Sequence, residues 1–173
     1  MNKQLNTVAK IAAAAAASLA LAGHASAATN LVKDGDFESF SSQVAANSWT
    51  TLATNTTFGA WTVTAGTVDL IRGMGNNVTG VSIDMNGTSA GTLTQTFNAV
   101  AGMTYTLSFD RNHTNSGWAG LTAQLGSSTA TYNDVTAAIT HETLSWTAAT
   151  SGLQTLQFAS TGPGYGGTGL DNV

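Results

Sequence analysis

The chain has no cysteine. That absence excludes disulfides, thiolate nucleophiles and cysteine-ligated zinc together, so the core must be held by packing, with or without a metal ion. Basic residues are scarce as well: five lysines and arginines stand in 173 residues. Two of them, Lys3 and Lys10, precede residue 28, which leaves Lys33, Arg72 and Arg111 against nine acids and a formal charge of −6 over residues 28–173. Nucleic acid is excluded as a partner, because its recognition needs clusters of Lys and Arg that displace counterions. No apolar run reaches the roughly 20 residues that span a bilayer. The run Ile11–Ala22 is mostly alanine, follows the two lysines, and leads to Ala25-Ser26-Ala27, a small-residue pattern that a signal peptidase cuts. Residues 1–27 therefore read as a signal peptide removed after Ala27. The protein is expected to be secreted or at the cell surface, with no membrane span in its mature part, and residues 28–173 have the length of one domain.

With charge sparse, threonine, serine, asparagine and glycine carry the polarity. Large apolar side chains still recur at regular spacing, which separates this composition from that of a disordered chain. Their period is two. Trp61-Thr62-Val63-Thr64, Val81-Ser82-Ile83-Asp84-Met85 and Leu93-Thr94-Gln95-Thr96-Phe97 each place apolar residues on one face and polar residues on the other. Tyr105–Phe109 and Leu153–Phe158 repeat the pattern, and Ala65-Gly66, Asn86-Gly87, Ala101-Gly102 and Ser151-Gly152 supply turns between such runs. Short strands with frequent turns predict an all-β sandwich or barrel. Trp61 belongs to its core, whereas the pattern leaves Trp49 and Trp146 undecided. Gly169-Leu170-Asp171-Asn172-Val173 reads as the entry to one more strand, either very short or truncated.

Catalytic constellations are hard to find. A glycoside hydrolase needs two carboxylates converging on the scissile bond, and nothing in the spacing of the nine acids singles out a pair. His113 and His141 lack a metal-binding partner two or four residues along. A non-catalytic protein is expected.

Taken in order, several patches carry a family resemblance: Asn30-Leu31-Val32-Lys33-Asp34-Gly35-Asp36-Phe37-Glu38, Gly59-Ala60-Trp61-Thr62-Val63 running to Val68-Asp69-Leu70-Ile71, Ser82–Gly87, Gly91–Phe97, and Leu170-Asp171-Asn172-Val173. Together they resemble the choice-of-anchor C family, which is related to the plant cell-wall proteins of the domain-of-unknown-function 642 family. The resemblance implies a jelly-roll β-sandwich of the galactose-binding-like kind in an exported protein, often one with a PEP-CTERM sorting tail, which this sequence lacks. It also implies a structural calcium ion tying the opening segment to the final strand. Glu38 and Asp171 match that role, with Asp34 or Asp36 and backbone carbonyls completing the six to eight or so oxygens that calcium takes. The competing reading is that these acids cap turns.

Four further residues are candidates for ligand contact. Asp84, just before the Asn86-Gly87 turn, and Arg111, at the end of a strand, are placed to face a loop-built pocket; the alternatives are turn stabilisation for Asp84 and a surface ion pair with Asp110 for Arg111. Trp118 and Tyr165 lie in glycine-containing loops where an exposed ring can stack on a sugar, although a loop aromatic can equally fold back on its own core. The leading expectation is a surface-displayed binding module for polysaccharide or cell-wall glycan. The alternative is a self-associating structural protein of the envelope or matrix, whose threonine-rich sheet faces have few charges to block edge pairing.

Overall fold

A computed structural model of the chain describes residues 29–74, 80–113, 120–133, 137–163 and 165–173. The expected signal peptide and Trp118 lie outside the described residues. The strands are β1 (Ser48–Ala53), β2 (Thr57–Phe58), β3 (Trp61–Ala65), β4 (Thr67–Arg72), β5 (Val81–Asp84) and β6 (Thr92–Ala99). They continue with β7 (Thr104–His113), β8 (Leu121–Leu125), β9 (Ser128–Tyr132), β10 (Thr140–Thr147), β11 (Gly152–Ser160) and β12 (Thr168–Asp171). Two six-stranded sheets result, ordered β1-β4-β5-β12-β7-β10 and β2-β3-β6-β11-β8-β9. From β5 to β8, and again from β9 to β12, the chain crosses to the facing sheet at every step, with antiparallel pairing throughout. This is a jelly-roll β-sandwich, the fold that the resemblance implies. Among the described residues no helix is long and apolar enough to cross a membrane.

Alternation builds the core. Trp61, Val63, Leu70, Ile83, Leu93, Phe109, Phe158 and Leu170 all point between the sheets and are fully buried. Trp61 sits 5.8 Å from Phe37 and 6.3 Å from Phe158, and Phe109 meets Phe158 edge-on at 5.0 Å. Such aromatic pairs add about 0.5–1.5 kcal/mol each beyond their area burial.

The opening segment is pinned to this core by polar bonds as well as by Phe37. The indole N–H of Trp61 donates to the Asp34 carbonyl at 3.1 Å. Buried Gln95 acts as a strand partner for Lys33, accepting from its N–H and donating to its carbonyl, each at 2.9 Å. Val173 N–H then donates to the Gly35 carbonyl at 3.0 Å, closing the last residue on the first segment. Phe37 adopts φ 54°, a conformation costing about 1–3 kcal/mol for a bulky residue, which its complete burial offsets. The expected final strand is β12. It is four residues long and lies in the middle of its sheet, between β5 and β7.

Candidate functional site

The first sheet turns one face away from the core, and register decides which side chains meet there. Thr51, Asp69, Asp84, Gly169 and Asn112 are opposed in sequence across β1, β4, β5, β12 and β7, and so share a face. The adjacent row runs Trp49–Ile71–Ser82 on one side and Asp171–Asp110–His141 on the other. Neighbours one step along β4 and β5, such as Leu70 and Ile83, point the opposite way into the core.

At the β1 end of this face lies a cleft of about 290 Å³, lined by Trp49, Asp69, Ile71, Met74, Asp84 and Tyr165 among others. Two of these rings face solvent: Trp49 is 57% exposed and Tyr165 77%. Ile71 supplies an apolar floor. Asp84 is only 8% exposed, and its Oδ1 accepts the Asn86 N–H at 2.9 Å, so it stabilises the turn and lines the cleft at once. Asp69 stands directly opposite it, which puts the two Cβ atoms roughly 4.5–5.5 Å apart. Burial pushes the Asp69 pKa up, and a hydrogen bond from the Thr51 side chain opposes part of that rise. Its Oδ1 is buried and has no hydrogen-bond partner. Two glycines let the backbone come close to these carboxylates. A Cβ on Gly87 would lie 2.8 Å from Asp69 Oδ1, and one on Gly167 the same distance from Asp84 Oδ1.

Ser82 Oγ and Asn112 Nδ2, on the same face, are also buried without a partner. Unused polar atoms of this kind cost about 1–3 kcal/mol each and call for a water or a ligand. Exposed rings beside two cleft-lining carboxylates suit a molecule with flat apolar faces and hydroxyl edges.

Of the residues singled out in the sequence, Asp84 and Tyr165 come together here. Trp49 and Asp69 join them, neither of which the pattern nominated. Arg111 does not. It shares the parity of Leu107 and Phe109, so it points inward, 6% exposed, and its guanidinium bonds Glu142 at 2.8 Å and lies 4.9 Å over the Tyr132 ring. The expected surface pair with Asp110 is therefore replaced by a buried pair with Glu142, while Asp110 bonds His141 at 2.8 Å and Asn172 at 2.9 Å. Burial and then Glu142 push the Tyr132 phenol up, and Arg111 pulls it down.

The four acids of the expected calcium set are divided. Asp34 Oδ1 accepts from Ser39 Oγ, Asp36 Oδ1 from the Glu38 N–H, Glu38 Oε1 from the Val81 N–H at 2.8 Å, and Asp171 Oδ1 from the Asn172 N–H at 2.8 Å. Asp34 and Asp36 line one depression with Asn172 and Val173, whereas Asp171 lines another beside Asp110. Among the described residues no three His, Asp or Glu side chains gather where a metal ion could sit.

Gly87-Thr88-Ser89-Ala90-Gly91 spells the G-x-S-x-G of a nucleophile elbow, but that motif needs a helix after the serine and here β6 follows. Its Ser89 N–H is held by Thr67 Oγ1 at 3.1 Å, as part of an ordinary turn. A second hollow, about 410 Å³, opens between the sheets near Leu31, Phe97, Met103 and Tyr105. Its lining is mainly apolar, and the Gln95 amide there is already bonded to Lys33.

Comparison with solved structures gives a carbohydrate-binding module, TmCBM61 in complex with beta-1,4-galactotriose, at a TM-score of 0.50 and 14% identity over 83% of this chain and 95% of that one. The enzymatically active domain of bacteriophage CBA120 tailspike protein 4 aligns at a TM-score of 0.46 and 16% identity over 82% of this chain, which spans only 20% of the tailspike chain. CBM35 from Paenibacillus barcinonensis aligns at a TM-score of 0.39 and 14% identity over 71% of this chain and 94% of its own. At such identities the shared property is the sandwich. No curated protein matches the chain. The family described as a protein of unknown function, DUF642, matches residues 30–164, and the chain belongs to it.

Proposed function

We propose that the protein is a non-catalytic module that binds a polysaccharide or cell-wall glycan through the cleft at the β1 end of its first sheet, and that it works outside the cell or on its surface. Within DUF642 it belongs on this reading with the choice-of-anchor C proteins. The observation that carries the proposal is the cleft itself: two exposed rings, Trp49 and Tyr165, line it together with two opposed carboxylates. The rings offer stacking surfaces for sugar faces, and Asp69 and Asp84 accept hydrogen bonds from hydroxyls. Strands β1, β4 and β5 hold Trp49, Asp69 and Asp84 in place before the ligand arrives, which lowers the ordering cost of binding. The fold shared with a module that binds beta-1,4-galactotriose makes a galactan the first ligand to try.

The test is titration of the purified protein with beta-1,4-galactotriose and then with a panel of soluble polysaccharides, read by tryptophan fluorescence and calorimetry. Saturable binding that weakens in Trp49→Ala and Tyr165→Ala supports the proposal. A folded protein that binds none of the panel and forms larger assemblies as its concentration rises supports the structural, self-associating alternative instead.

A further inference from the structure

On that reading of the cleft, we propose that Asp69 and Asp84 make it selective by charge, so that it takes neutral, hydroxyl-bearing sugars and rejects uronates. The two acids are nearest neighbours across β4 and β5 and both line the cleft. No Lys, Arg or His stands among the described lining residues to balance them. Arg72, which adjoins Ile71 in β4, donates instead to the carbonyls of Ser41 at 3.0 Å and Val44 at 3.5 Å. Arg111 is held by Glu142 on the other side of the sheet.

An ionised carboxylate only accepts hydrogen bonds. A sugar hydroxyl brings a donor that these cleft-lining carboxylates can accept from, whereas the carboxylate of a uronate brings a second acceptor and a like charge. Partial burial makes the mismatch count for more, because the repulsion acts through a medium less polar than water. Gly87 and Gly167 bring the backbone against these two carboxylates, leaving little room for them to turn away from an unfavourable partner. One like-charge contact at about 6 Å and an effective dielectric constant of about 40 is a discrimination of roughly tenfold.

The experiment uses matched pairs: soluble β-galactan, β-glucan and mannan, each beside the same polymer oxidised at C6 to the uronate. The unaltered protein is titrated at about 10 mM and about 1 M salt, where the Debye length falls from about 30 Å to about 3 Å. The expected result is a neutral form that binds roughly tenfold tighter than its oxidised counterpart at low salt, with a ratio that narrows several-fold at high salt. Asp69→Asn and the double variant Asp69→Asn/Asp84→Asn should shift the ratio toward the oxidised form. The salt series needs no variant, so the inference stays testable if the double variant fails to fold. Oxidised polymers that bind as tightly as neutral ones, with a ratio that moves with neither salt nor Asp69→Asn, would overturn it. If Trp49→Ala still abolished that binding, the glycan reading would stand alone. If no polymer of either kind bound the folded protein, the glycan reading would fall and this inference with it.

Discussion

Trp49→Ala should weaken glycan binding and leave folding nearly intact, a separation that follows from where this ring sits. It is 57% exposed on edge strand β1, at the rim of the cleft. A tryptophan buries up to about 250 Å², so a sugar ring covering half of the exposed portion removes about 70 Å² from water, worth about 1.8 kcal/mol at 25 cal/mol per Å². That is roughly a twentyfold rise in Kd. The folded state should lose little, about 0.5 kcal/mol, because a largely exposed side chain has few core contacts to forfeit. Calorimetric titration with the tightest-binding polymer, beside a thermal melt of the same sample, reads both quantities. The internal control is Trp61→Ala, fully buried, which should cost about 3–5 kcal/mol of stability and compromise the fold itself. Unchanged affinity in Trp49→Ala, or an affinity loss matched by an equal loss of stability, would refute this placement of the ring.

Asp69 gives a pH signature. Its folded pKa lies above the ordinary 3.8, so stability is complete below that value and is lost as pH rises through the folded pKa. Asp69→Asn should therefore melt higher than the unaltered protein near neutral pH, and the gap should close on acidification below about pH 3.8. Glu142→Ala removes the carboxylate that bonds the buried Arg111 guanidinium and should cost about 1–3 kcal/mol in a denaturant titration, with glycan affinity unchanged because the pair is remote from the cleft lining. Gly167→Ala would push a Cβ to 2.8 Å from Asp84 Oδ1 and should lower both the melting temperature, by about 1–3 kcal/mol of stability, and the affinity. If calcium completes the N-terminal closure, adding a chelator should lower the melting temperature by several degrees; an unchanged melting temperature would show that the bonds these acids accept within the chain suffice.

The two-residue period reveals β3, β5, β6 and β7 because those strands carry alternating large apolar residues that face a core, whereas in β11 only Leu156 and Phe158 keep that parity and Leu153 points out, 67% exposed. β10 is harder to see. Thr140-His141-Glu142-Thr143-Leu144-Ser145-Trp146-Thr147 is an edge strand with only Leu144 and Trp146 as large apolar residues, so the contrast between its faces is weak. The cleft was legible one residue at a time. Asp84 and Tyr165 stand out beside their turns, but Asp69 sits inconspicuously within Val68-Asp69-Leu70-Ile71. What makes it part of a site is its pairing with Asp84, a residue 15 positions away, and the register of β4 against β5 is set by packing that no local pattern contains. Arg111 is the opposite case. The parity that turns Leu107 and Phe109 inward also turns Arg111 inward, and the ordinary preference of arginine for the surface obscures it. Glu142 on the neighbouring strand helps to make that burial tolerable, and the partnership is again a matter of register.

The central claim is that ligand is held on the outer face of the first sheet between Trp49 and Tyr165. Amide and indole NMR shifts, followed while the isotopically labelled protein is titrated with galactan or with the best binder of the panel, test it most directly. Saturable shifts are expected at the Trp49 indole N–H and at the amides of Thr51, Asp69, Ile71 and Asp84, with the Trp61 indole N–H, bonded inside the core to the Asp34 carbonyl, left in place. Shifts confined to the hollow around Leu31, Met103 and Tyr105, or none anywhere at saturating polymer, would contradict it.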